Sequence, residues 1–122
     1  MSDDAFHNLS RMPELDDVRL LGVDVSDTRW ESLSRIKRLK GLTIHGGGST
    51  DSGVAQFAES KAPLDGMSLE DVPIGDKAVA ALGRLTTLRD IRLPGTNVSD
   101  AGLAGLKNLE QLEILHLLTA RW

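Results

Sequence analysis

Leu85-Thr-Thr-Leu88-Arg-Asp-Ile91-Arg-Leu93-Pro-Gly95-Thr96-Asn97-Val98-Ser99-Asp100-Ala-Gly102-Leu103-Ala-Gly-Leu106-Lys107 is the stretch that decides the fold. Ile91 and Leu93 lie two residues apart and share one face of a strand. Gly95 and Asn97 permit a sharp exit from that strand, and Val98 turns inward. Ser99-Asp100 then opens a helix, because short oxygen-bearing side chains cap orphan N–H groups and a carboxylate suits the positive end of the helix dipole. Leu103 and Leu106 share one helical face, and Leu88 closes the connection between helix and strand.

Working outward, the unit recurs along the chain. The apolar pair returns as Val18/Leu20, Leu42/Ile44, Met67/Leu69, Ile91/Leu93 and Leu115/Leu117, at intervals of 24, 25, 24 and 24 residues. A period in the roughly 20–29 range with an L-x-x-L-x-L core marks a stacked array in which each repeat supplies one short strand and one helix. Cap aspartates are expected at Asp27, Asp51, Asp76 and Asp100. The first helical apolar position holds Trp30, Val54, Val79 and Leu103; the second holds Leu33, Phe57, Leu82 and Leu106. The return position holds Leu15, Leu39, Leu64, Leu88 and Leu112. The one extra residue falls between Phe57 and Leu64, beside Pro63, in a connecting loop that tolerates it. Ser2-Asp3, Phe6 and Leu9 fit the same frame, so the chain opens on a half-repeat helix, with the Phe6 and Trp30 rings covering the N-terminal end. The last unit has a strand near 114–118 and stops at Trp122 with no helix after it.

Leu88-x-x-Ile91-x-Leu93-x-Gly95-Thr96-x-Val98-Ser99-Asp100-Ala101-Gly102-Leu103-x-x-Leu106 resembles the leucine-rich repeat, in the roughly 24-residue bacterial form and on the ribonuclease-inhibitor-like side of that superfamily. The expected fold is therefore α/β: a right-handed leucine-rich-repeat solenoid with five parallel strands on the concave face and five helices on the convex face. It forms one domain over 1–122: a half-repeat helix at 1–11, repeats at 12–35, 36–59, 60–84 and 85–108, and a terminal strand half-repeat at 109–122. Two units depart from the pattern. His45-Gly46-Gly47-Gly48 replaces a Gly-Thr exit, and Asp27-Thr28-Arg29-Trp30 lacks the glycine after its aspartate. The resemblance implies protein–protein interaction through the concave strand face and adjoining loops, with no shared catalytic residues.

Composition narrows the remaining classes. The 122 residues carry a net charge of −4 and a pI near 5.3, so the chain repels phosphate backbones and no nucleic-acid partner is expected. Having no cysteine, it has neither disulfides nor thiolate metal sites. Met1-Ser-Asp-Asp-Ala-Phe-His lacks a basic and an apolar region, so no signal peptide is read; no run suits a membrane span, and the expected location is cytoplasmic or a soluble part of a larger chain.

Positions that alternate with the core pair point outward from the sheet. The central column is Arg19, Thr43, Ser68, Arg92 and His116; the flanking columns are Asp17, Gly41, Gly66, Asp90 and Ile114, then Leu21, His45, Glu70, Pro94 and Leu118. From these, Asp17, Arg19, Thr43, His45, Ser68, Glu70, Asp90, Arg92 and His116 are the expected contacts for a protein partner; the alternative is an ordinary solvated sheet face. His45-Gly46-Gly47-Gly48 copies the letters of a lipase oxyanion loop, but no Gly-x-Ser-x-Gly elbow accompanies it, and three glycines after a strand relax a tight turn. The three histidines fall in different units without metal-binding spacing. The basic run Arg35-Ile-Lys37-Arg38-Leu-Lys40 suits the negative end of a helix dipole, with electrostatic docking as the alternative. No catalytic residue, metal or cofactor is expected, and the chain is read as a non-catalytic binding module.

The second reading is structural: an assembly segment of a longer repeat protein that makes contact through its terminal edges. Leu112-Glu-Ile114-Leu115-His-Leu117-Leu118 is apolar on both faces, and a long apolar edge invites pairing. Three explanations stay open at this point. The chain is a piece of a longer array, or a homodimer forms through Ile114, Leu118 and Trp122 at the C-terminal edge, or Trp122 folds back as a minimal cap.

Overall fold

A computed structural model describes residues 1–117. Five parallel strands form one sheet in the order β1-β2-β3-β4-β5, so each strand lies beside its neighbour in the sequence. They are β1 (Asp17–Leu21), β2 (Gly41–His45), β3 (Gly66–Glu70), β4 (Asp90–Arg92) and β5 (Ile114–His116). Five helices alternate with them: α1 (Asp3–Leu9), α2 (Asp27–Ser34), α3 (Asp51–Glu59), α4 (Asp76–Leu82) and α5 (Asp100–Ala104). Each helix packs on the next, as each strand does. The fold is therefore α/β, with the core between a layer of strands and a layer of helices.

The strands form because Val18/Leu20, Leu42/Ile44 and Met67/Leu69 are buried while the residues between them face outward. The repeat period sets the register. Val18 lies opposite Leu42, Leu42 opposite Met67, Met67 opposite Ile91 and Ile91 opposite Leu115. A second ladder fixes the approach to each strand. The Asp16 carbonyl accepts from the amides of both Lys40 and Gly41; Lys40, Asp65 and Arg89 repeat the arrangement toward the next unit. β4 stops at Arg92, two residues before Pro94, which has no N–H to offer the ladder.

The helices are short, and most unwind into three-residue turns. Ile36 N donates to Leu33 O and Leu39 N to Ile36 O, with the same steps at Leu82–Leu85–Leu88 and Leu106–Leu109–Leu112. These steps bring an apolar side chain inward every three residues. The unit with the extra residue differs: Lys61 takes a left-handed conformation at φ 53°, ahead of Pro63, which has no amide for such a bond. At the C-terminal ends of α4 and α5 the chains approach closely: a Cβ on Gly105 would lie 2.6 Å from Ala80 Cα.

Capping differs from the sequence expectation. The four aspartates are the first helical residues, and the N-caps are Ser26, Thr50, Gly75 and Ser99. Ser26 and Thr50 cap with their own hydroxyls, accepting from Arg29 N at 3.4 Å and Gly53 N at 3.1 Å. Three of the aspartates instead reach into the following unit. Asp27 accepts from the Thr50 hydroxyl at 2.7 Å, Asp51 from Gly75 N at 2.9 Å, and Asp76 from Ser99 N at 2.6 Å and from the Ser99 hydroxyl. This ladder joins successive units where the strands end, so it strengthens the stacking and not only the helix start. Asn97 also departs from expectation. Gly95 takes the left-handed turn at φ 75°, while Asn97 bridges to Gly75.

The Ser99 hydroxyl, and then the Ser99 amide, hold the Asp76 carboxyl below the usual carboxylate range. A folded-state pKa below the unfolded value contributes stability above about pH 4 that is lost as pH falls through the folded value. Asp76→Asn should therefore lower the melting temperature at neutral pH, and its deficit should shrink as the pH drops below about 4. Thermal melts of both proteins between about pH 2.5 and pH 7 check this; a deficit independent of pH would remove the assigned role.

The N-terminal end is closed by Phe6, which is fully buried beneath the Arg29 guanidinium at 4.8 Å from the ring centroid. Arg29 also donates to Asp3 Oδ1 at 2.7 Å, to Asp24 O at 2.8 Å and to Met1 O at 3.1 Å. At the other end, Leu115 occupies the register of the fully buried Ile91 yet is 41% exposed, and Ile114 beside it is 47% exposed. Leu118 and Trp122, expected in that edge, lie outside the described residues.

Candidate functional site

The register assembles the expected surface. Arg19, Thr43, Ser68, Arg92 and His116 stand opposite one another in a single column across all five strands. Asp17, Gly41, Gly66, Asp90 and Ile114 form the column on one side; Leu21, His45 and Glu70 form the column on the other. Pro94 lies beyond β4, outside that pairing. Strand spacing places Arg19 and Arg92 roughly 14 Å apart along the sheet.

Charges on this face are organised in pairs along β1 and β4, the strands that flank β2 and β3. Arg19 Nη2 donates to Asp17 Oδ2 at 3.3 Å on β1. On β4, Arg92 makes a two-pronged contact, Nε to Asp90 Oδ1 and Nη2 to Asp90 Oδ2, both at 3.1 Å. That hydrogen bonding, with the carboxylate's charge, raises the Arg92 pKa above its ordinary value. Exposed ion pairs contribute little to folding. Their stronger effect is to hold two long side chains in place beside the middle strands.

Between those pairs lies a depression of about 390 Å³. Its floor is made of small residues from the middle strands, Gly41 and Thr43 on β2 and Gly66 and Ser68 on β3. Asp17 and Arg19 form one wall, Asp90 and Arg92 the other, and Glu70 stands at one end. His45 lies just outside, with Nε2 at 3.2 Å from Asp71 Oδ2. Asp71 holds a left-handed conformation at φ 55°.

The structure therefore brings Asp17, Arg19, Thr43, Ser68, Glu70, Asp90 and Arg92 together, with His45 at the margin. His116 stands further out, exposed on β5. The glycines at 41 and 66 were legible as column positions, and two glycines side by side at the starts of β2 and β3 were the available signal for a groove. Asp71 left no such signal, since its role depends on a turn that brings it back toward His45.

His45-Gly46-Gly47-Gly48 is a turn made by glycine conformations. Gly46 and Gly47 sit at φ 74° and 72°, and Gly48 N donates to Asp24 Oδ1 at 2.6 Å. The basic run begins at Arg35, the C-cap of α2, and its Ile36 and Leu39 are buried while the cations are exposed. Among the described residues, no group of three or more His, Asp or Glu is placed to hold a metal ion, and no helix is long and apolar enough to cross a membrane. No protein-family model matches the chain, and no curated protein matches it in sequence.

Proposed function

We propose that the chain is a leucine-rich-repeat solenoid that binds a protein partner, without catalysis, through its concave strand face and the adjoining loops. One observation carries the reading. The parallel register holds Arg19, Thr43, Ser68 and Arg92 in one straight column on an open face, with ion-paired walls and a depression between them. The mechanism is display. A rigid ladder keeps these groups at fixed spacing, so a complementary surface binds without ordering the protein first.

Arg19→Glu/Arg92→Glu should abolish partner capture from a lysate of the source organism while leaving the circular dichroism spectrum unchanged. Like charges then face each other within both walls, since each new glutamate lies beside an aspartate. A protein captured by the intact chain and lost with this variant supports the reading. Equal capture by both would sink it.

The second reading is assembly through the terminal edges, favoured by the exposure of Ile114 and Leu115 on β5. Recovery of the chain itself and nothing else, unaffected by the double substitution, would favour that reading.

A further inference from the structure

We infer that the groove over β2 and β3 seats an extended basic segment of the partner, its main chain laid over Gly41 and Gly66 and a Lys or Arg side chain at Glu70. This rests on the sheet-face reading above and adds the chemistry of the occupant.

The first argument is that folding does not call for these two glycines. Both lie in strands without a positive φ. A Cβ on Gly66 would meet nothing nearer than 3.9 Å, an ordinary contact. On Gly41 it would meet the end of the exposed Asp17 side chain at 3.2 Å, which has room to shift. Several other glycines are different. Gly46, Gly47 and Gly95 have φ of 74°, 72° and 75°, and a Cβ on Gly53, Gly102 or Gly105 would fall 2.6 Å from a neighbouring unit. Both open their strands, and glycine is disfavoured in strands; where the backbone conformation does not require it, the missing side chain leaves room for another chain to come close.

The second argument is shape. The low floor runs along β2 and β3 and is walled by the pairs on β1 and β4, so an occupant lies parallel to the strands. From Gly66 to Glu70 the floor extends about 13 Å, the reach of four extended residues.

The third argument is charge. Asp17 and Asp90 are each paired directly with an arginine, whereas the Glu70 carboxylate makes no ion pair or hydrogen bond among the described residues and meets Arg92 only as a more distant charge. The lining thus holds three carboxylates against two guanidiniums, with Asp71 next to Glu70. A cationic side chain completes this arrangement, and an acidic one meets like charge.

The test pans a phage-displayed library of random linear peptides on the full chain. Enriched sequences are then synthesised and their Kd measured by calorimetry. Enriched peptides should carry a central Lys or Arg and bind Gly66→Val and Glu70→Lys at least about tenfold more weakly. Gly66→Val should keep or raise the melting temperature. If it fails to fold, Gly66→Ala, whose added carbon makes only ordinary contacts, replaces it. Acidic or uncharged peptides, binding indifferent to Gly66→Val, or no enrichment each overturn the inference. Acidic peptides that lose binding to Arg19→Glu/Arg92→Glu would overturn the groove chemistry alone. Peptides indifferent to every one of these variants would remove the sheet-face reading as well.

Discussion

Trp30→Ala should destabilise the protein by about 3–5 kcal/mol, the range for deleting a fully buried large aromatic. The ring is fully buried on α2 and packs against Phe57 of α3, with centroids 5.3 Å apart and planes inclined by 60°. Its Nε1 donates to the hydroxyl of Ser49, itself buried, at 3.3 Å. Truncation therefore opens a cavity between α2 and α3 and leaves the Ser49 hydroxyl without that donor. α2 also packs on α1, so the loss extends to the N-terminal helix. A domain of this size has a total stability of about 5–15 kcal/mol, so the change removes a large share of it. Urea denaturation reads the effect directly. The midpoint should fall sharply, and Trp30→Phe, which keeps a ring and loses the donor, should recover most of the loss. A midpoint for Trp30→Ala within error of the parent would show that the α2–α3 contact is not formed as described.

Leu93→Ala should cost about 2–5 kcal/mol. Leu93 follows β4 directly, is 1% exposed, and belongs to the same core as Leu69 and Leu88. Its backbone is committed at both ends. The amide donates to His116 O at 2.8 Å, and the carbonyl accepts from the Thr96 hydroxyl at 2.7 Å. With the backbone held in this way, the site collapses poorly around a smaller side chain, which places the expected cost in the upper part of the range. The same denaturation measurement checks it. A shift too small to resolve would contradict the inward placement of Leu93 and the register built on it.

The site was readable to the extent that it depends on alternation and period. Arg19, Thr43, Ser68, Arg92 and His116 were assigned to one outward column because side chains alternate along a strand and the pairs recur every 24 or 25 residues. Both rules act within the sequence, so the register follows from counting. The aspartates show the limit. Asp27, Asp51 and Asp76 were recognisable as helix-start residues, but their partners lie 23 or 24 residues away in the next unit. Whether a carboxylate turns back to its own helix or across to its neighbour depends on the distance between stacked units, which no local preference encodes. Asn97 shows the same limit: it had the right chemistry for a left-handed turn, yet Gly95 takes that conformation and Asn97 pairs with Gly75.

The sequence by itself determined the alternation of strands and helices, the buried face of β1 to β4, and the columns that cross the sheet. Hydrophobic periodicity and a fixed repeat suffice for these, because burial of the apolar side chains outweighs other local preferences. Only the tertiary structure decided which charged groups pair, how Arg29 ties the N-terminus over Phe6, and that Gly41 and Gly66 lie as the floor of a groove between two walls. Those features depend on side chains from different units meeting within a few ångströms, and that meeting exists only once the strands lie side by side.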